Sequence, residues 1–256
     1  MAASIDHEIK GAPSDSVSCL KFAPSKPIKS VHWIQNQNLV VTGSWDKTLK
    51  YWDVNRVGTD AVATIGLNER VYSMDVNGNL AVVACADRNI HVFDLRNFSV
   101  PVKSHQSPLR HQIRTVALFN DNRGYAIGSI EGRVHIQHIN DDDTKLNFAF
   151  KCHRDSSTQD IFAVNAIVFH KKYGTFCTAG SDGTFNFWDK DAKQRLKGFQ
   201  RLPNSISSVD FNRDGTLFAY AQSYDWSRGP DSFKQAEERI FLHPVQENEI
   251  RPKSHS

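Results

Sequence analysis

GSWDKTLKYWD, at residues 43–53, returns in part as GSDGTFNFWDK at 180–190. Two more segments follow the same frame, ACADRNIHVFD (84–94) and GSIEGRVHIQH (128–138). The units close at Asp53, Asp94, His138 and Asp189, at intervals of 41, 44 and 51 residues. A second series runs ahead of them: SVHW ending at Trp33, SMDV at Val76, VALF at Phe119, AIVF at Phe169 and SVDF at Phe211. Its intervals are 43, 43, 50 and 42 residues. Two independent series with one period mark an internal repeat. The longest step spans the polar insert HRDSSTQD at 153–160.

Each repeat parses into strands. The apolar runs NLVVTGS (38–44) and NLAVVACAD (79–87) are continuous, as expected of strands covered on both faces. Asp46-Lys47, Asp87-Arg88, Glu131-Gly132 and Asp182-Gly183 then supply tight turns. A second strand follows each turn: LKYW, IHVF, VHIQ or FNFW. No helical apolar period of useful length competes with this reading. Strand units of this length with Trp-Asp endings predict an all-β fold, a WD40 β-propeller.

The signals count out five complete blades, about 28–66, 70–108, 112–152, 162–203 and 205–245, within a propeller of residues 16–245. Residues 1–15 read as a tail carrying a closing strand, DHEI (6–9), and 246–256 as a C-terminal tail. SVSCLKFAP (16–24) resembles another opening strand, ending at Phe22. Only 11 residues separate Phe22 from Trp33, so two opening strands stand back to back with no blade body between them. An incomplete ring is expected.

The 31 basic and 28 acidic residues give a formal charge of +3, without the concentrated excess of a dedicated nucleic-acid binder. The four cysteines show no metal-like spacing and read as reduced thiols. MAASIDHEIKGAPSDS contains no apolar run that could act as a signal peptide, so a soluble cytosolic or nuclear protein is expected. No catalytic motif emerges among the 11 histidines, and neither a metal nor another cofactor is expected. His91 and His135 read as packed strand residues. NDDDT (140–144) lacks the spacing and glycine of an EF-hand and reads as a solvated loop.

Trp52 and Trp188 read as structural. In WD blades such a Trp closes a hydrogen-bonded chain through a Ser on the preceding strand, a His on the incoming loop and the turn Asp. Ser44 and Asp46 are assigned to Trp52, with the His missing because Pro24 and Ser25 occupy the incoming loop; Asp182 is the turn acid of the later unit. Trp188 also begins a basic stretch with Lys190, Lys193, Arg195, Lys197 and Arg201.

The runs GSWDKTLKYWD, SPLRHQ (107–112), GSIEGRV (128–134), FKCHR (150–154), GSDGTFNFWDKDA (180–192) and FAYAQSYDWSRG (218–229) together resemble one WD-repeat family. It is the mRNA export factor that docks on nucleoporins, a relative of the mitotic checkpoint propeller. The resemblance covers the chain from about residue 26 onward. Family members have seven blades, so it implies a shortened form lacking most of the first two. It further implies a partner, a nucleoporin β-hairpin of the GLEBS type whose acidic pair meets Arg133 and Arg195. Arg195 stands where the family usually has Lys. Phe150, Trp188, Asp189 and Lys190 would form a neighbouring groove for single-stranded RNA or a messenger ribonucleoprotein. The alternatives are a spindle adaptor binding similar hairpins in mitotic checkpoint kinases, or an inactive shortened isoform. The implied locations are the nucleus, the nuclear envelope at the pore, and the cytoplasm.

Overall fold

Repeated apolar runs, each bounded by an acidic turn, become the second strands of successive sheets. The computed structural model describes residues 7–8, 27–56, 60–227, 229, 231 and 238–252. The opening-strand candidate at 16–24 lies outside the described residues. The described chain forms five four-stranded antiparallel sheets, the blades of a β-propeller.

The first sheet holds β2 (Ile28–Ile34), β3 (Leu39–Ser44), β4 (Thr48–Asp53) and β5 (Ala63–Gly66). The second holds β6 (Val71–Asn77), β7 (Leu80–Cys85), β8 (Asn89–Asp94) and β9 (Lys103–Gln106). The third comprises β10 (Ile113–Leu118), β11 (Gly124–Ser129), β12 (Arg133–His138) and β13 (Phe148–Lys151). The fourth comprises β14 (Val164–Phe169), β15 (Phe176–Gly180), β16 (Phe185–Asp189) and β17 (Gln194–Gly198). The fifth has β18 (Ile206–Phe211), β19 (Leu217–Gln222) and β20 (Arg239–Pro244), and its fourth strand comes from far upstream. That strand, β1 (His7–Glu8), pairs with β20 through His7 opposite Leu242 and Glu8 opposite Phe241.

Every sheet carries a bulge at the same place in its first strand, between Ile28/Ser30, Val71/Ser73, Ile113/Thr115, Val164/Ala166 and Ile206/Ser208. A bulge adds local twist, so its repetition at one position re-aims all five first strands alike. Register also fixes which residues are equivalent. Trp52 stands opposite Val40 and Trp188 opposite Phe176. TGSWDKTLKYWD therefore aligns with TAGSDGTFNFWD, and Ser44 matches Gly180; the two Gly-Ser pairs are one residue out of frame. In the third sheet Leu118, not Phe119, matches Trp33, because Thr115 pairs with Gly128 as Ser30 pairs with Gly43.

The strands group into two compact units: the first two sheets with most of the third, and the fourth and fifth sheets with residues 130–134. In the former, Ile34, Val41, Leu49 and Tyr51 pack against Val71, Met74 and Val83 of the second sheet. The other face of that sheet, including Val82 and Val92, packs against Val116, Leu118 and Ile127. In the latter, Cys177, Phe185 and Phe187 pack against Ile206, Phe211 and Phe218. Part of the stretch read as a C-terminal tail forms the short helix α1 (Glu247–Ile250), whose Ile250 is buried in that core. Among the described residues no helix is long and apolar enough to cross a membrane.

Candidate partner-binding surface

The scaffold beneath the candidate residues is a buried relay. Trp188 donates its indole N–H to Thr178 Oγ1 at 2.9 Å. Thr178 and His153 Nε2 are 2.9 Å apart, and His153 Nδ1 meets Asp182 Oδ1 at 2.9 Å. Because the carboxylate only accepts, Nδ1 donates to it and Nε2 accepts from the threonine hydroxyl. Burial pushes the Asp182 carboxyl up, but the His153 and Thr184 hydrogen bonds outweigh it and hold its pKa below the ordinary 3.8. A Cβ at Gly180 would come within 2.5 Å of His153 Nδ1. The glycine is thus the room the imidazole needs.

The first sheet lacks that histidine and repairs the site differently. Trp52 donates to Thr42 Oγ1 at 2.9 Å, not to Ser44. The pairing explains this correction, since Thr42 is the diagonal neighbour of Trp52 on one face while Ser44 has already reached the turn. Ser44 donates to the Pro27 carbonyl at 3.1 Å and accepts from the Asp46 N–H at 3.1 Å. Asp46 accepts from the Thr48 N–H and hydroxyl at 3.0 and 2.6 Å. The indole N–H is therefore paired, and the buried polar group left without a hydrogen-bond partner among the described residues of this blade is the Tyr51 hydroxyl. Thr42 and Thr178 both stand ten residues before their Trp, the spacing from which the sequence would have yielded them.

The candidate binding residues divide among four positions. Arg133 opens β12, one-third exposed, with Nε 3.7 Å from Glu131 Oε2. Arg195 is exposed on β17, the outer strand of the fourth sheet, and stands directly opposite Trp188. Its guanidinium approaches Gly198, where an added Cβ would lie 3.5 Å from Nη1. Phe150, half-buried on β13, meets the half-buried Trp188 ring at 4.7 Å between centroids and a 47° tilt. The structure thus joins Arg195 to the aromatic pair. Asp189 departs from its expected role: it is 4% exposed and caps the turn by accepting from the Asp191 and Ala192 N–H groups. Lys190 is mostly buried and donates to Asp191 at 2.7 Å.

The remaining candidates are scaffold. The acidic run forms a 3-10 helix at Asp141–Leu146, with Asp141 bound to Lys103 at 2.5 Å and Asp143 to Arg123 at 2.9 Å. His91 meets Ser104 Oγ at 2.8 Å and His135 meets Gln137 at 3.1 Å. Burial lowers the pKa of both rings. Among the described residues no group of three or more His, Cys, Asp or Glu could hold a metal ion.

The family described as WD domain, G-beta repeat matches residues 4–53 and 144–189. The mRNA export factor GLE2 of Chaetomium thermophilum is 50% identical over 237 residues, 90% of this chain and 66% of that protein. The poly(A)+ RNA export protein of Schizosaccharomyces pombe is 47% identical over 246 residues, 94% of this chain and 67% of that one. The chain thus spans about two thirds of the length of these relatives. An mRNA export factor of Xenopus tropicalis is 46% identical over 337 aligned positions, covering 97% of this chain and 91% of the relative. With 256 residues available, roughly 80 or more of those positions face no residue of this chain, about two repeats' worth. The crystal structure of the Myceliophteria thermophila Cps50 (Swd1) β-propeller domain superposes with a TM-score of 0.63 at 12% identity. That match covers 83% of this chain and 71% of the other, and it shows the fold.

Proposed function

The chain belongs to the mRNA export factor family of WD-repeat proteins, and from that premise we propose that it is a non-catalytic docking platform supporting mRNA export. Its partner is a β-hairpin of a nucleoporin bearing an acidic pair, engaged through Arg133 and Arg195. Single-stranded RNA makes an accessory contact at Phe150 and Trp188. The observation that carries the reading is the exposed Arg195 standing opposite Trp188, whose ring leans on Phe150. An arginine fork beside an aromatic face suits carboxylate or phosphate next to an apolar or base-like surface. Charge pairs of this kind set register and on-rate more than raw affinity, and they weaken with salt. Asp189 and Lys190 serve as the turn beneath the platform.

Titration calorimetry with an acidic hairpin peptide tests the assignment. Arg133→Glu and Arg195→Glu are each expected to weaken binding at least about tenfold, the effect of one lost charge-assisted contact, with unchanged circular dichroism. Unaltered affinity in both variants overturns the site.

A further inference from the structure

The turn that presents Arg133 leans on the segment leading into the fourth sheet. Gly132 lies in the left-handed region at φ +61°, and a Cβ there would come within 2.7 Å of the Cys152 carbonyl oxygen and 3.0 Å of that of Phe162. The Cys152 N–H donates to the Gly132 carbonyl at 3.0 Å. Arg154 donates from Nη2 to the Glu131 carbonyl at 2.7 Å and from Nε to the Gly132 carbonyl at 3.4 Å. One arginine thus holds both residues that precede Arg133.

Arg154 is placed in turn by the polar insert. It pairs with Ile161 in an antiparallel bridge. Beside the bridge, the Phe162 N–H donates to the His153 carbonyl at 3.0 Å and the Asp155 N–H to the Asp160 carbonyl at 3.1 Å. Two carboxylates tie the loop that these bonds close. Asp155 Oδ1 accepts from the Ser157 N–H at 2.9 Å, the Ser157 hydroxyl at 2.6 Å and the Thr158 N–H at 3.4 Å. The Thr158 hydroxyl donates to Asp160 Oδ2 at 2.7 Å. Thr158 therefore meets one carboxylate through its backbone and the other through its side chain, a position that suits a neutral donor and repels an anion. Residues 156–161 are all exposed. Thr158-Gln159 is also the one place in the 256 residues where Gln follows Ser or Thr, the pair that a glutamine-directed serine/threonine kinase reads.

We propose that Thr158 is a phosphorylation site, and that its phosphate loosens the Arg133 turn and so weakens hairpin docking; the second half rests on the docking reading given above. In the transfer, Thr158 Oγ1 forms a bond to the γ-phosphorus of ATP held by the kinase. The bond from that phosphorus to the ADP oxygen breaks, and the hydroxyl proton passes to the kinase's catalytic carboxylate. The product has lost the O–H that Asp160 accepted, and it sets a dianion beside Asp155 and Asp160. The pairing across 155–160 opens under that repulsion. Arg154, which holds only neutral carbonyls at the turn, gains a phosphate as a competing and stronger acceptor. Arg201, 3.8 Å from Asp155, gains the same alternative.

The test treats the full chain, and Thr158→Val beside it, with a glutamine-directed serine/threonine kinase and Mg-ATP. Mass spectrometry is expected to map one phosphate to Thr158 and to find none in the variant. The phosphoprotein is expected to bind the acidic hairpin peptide at least about tenfold more weakly, while treated Thr158→Val keeps the affinity of untreated wild type. Hydrogen exchange without peptide reads the switch separately, through the Cys152 amide bonded to the Gly132 carbonyl. That amide is expected to exchange at least about tenfold faster once Thr158 is phosphorylated. If untreated wild type binds no peptide, the docking reading falls, and the Cys152 amide alone decides whether the phosphate loosens the turn. Where the peptide does bind, an unmodified Thr158, an unchanged affinity or an unchanged Cys152 amide overturns the proposal.

Discussion

At the scale of single residues, His153 decides how much two neighbours are free to vary. Its ring ties Thr178 to Asp182 and requires a glycine at 180. His153→Ala leaves buried polar groups unpaired, each costing about 1–3 kcal/mol. The loss is expected in urea titrations as a lower midpoint. The pH dependence carries the second signature. With its folded pKa depressed, Asp182 contributes stability that is complete above its ordinary 3.8 and disappears as pH falls through the lower folded value. The wild type is expected to lose stability on acidification below about pH 4 more steeply than the variant, as the carboxylate protonates. Equal acid limbs in the two proteins would remove the histidine from the account. Of these residues the sequence showed the two Trp and the two turn Asp plainly. It misassigned the hydroxyl to Ser44, two places beyond Thr42, because a serine was expected on the preceding strand and Ser44 is the one that ends β3.

At the scale of elements, the repeat was legible because its physics is periodic. The continuous apolar runs at 38–44 and 79–87 became β3 and β7. The second strands β7, β11 and β15 are nearly all buried, and the turns at Asp46, Asp87, Glu131 and Asp182 each join a second strand to a third. The outer strands were harder to see. β5, β9, β13 and β17 alternate half-buried and exposed residues and carry few large apolar side chains, so they resemble loops in composition. The difference has a consequence for local opening. Amide hydrogens in β7, β11 and β15 are expected to exchange slowest, near the global unfolding limit, and those of β5 and β9 well ahead of them. Hydrogen exchange followed by mass spectrometry reads this order directly, and outer strands protected as long as β7 would contradict it. The bulge at the same place in all five first strands left no mark in the sequence, since its residues differ from blade to blade.

At the scale of the whole molecule, five blades and a family of longer proteins were both readable, and the internal shortfall against the relatives agrees with the spacing from Phe22 to Trp33. The exposure of Val31 and Trp33 on the first sheet was not readable. Which residues are covered depends on what packs against them, and a repeat looks alike in sequence whether its neighbour is present or absent. The fifth sheet depends on its distant strand in the same way. Removing residues 1–8 leaves β20 with an unpaired edge, an invitation to intermolecular strand pairing. The truncated chain is expected to melt at lower temperature and to scatter light on heating before the full chain does. An unchanged melt would mean that this two-residue pairing contributes nothing.

That same pairing sets a clock. In synthesis His7 precedes its partner Leu242 by 235 residues, and Glu8 precedes Phe241 by 233. The fifth sheet therefore cannot be completed until Leu242 has been made, however early the other four are assembled. Its last ladder closes the longest loop among the described strand pairings, the kind of contact that slows folding most. Until then β20 lacks this outer neighbour, and the fifth sheet stays open to wrong partners.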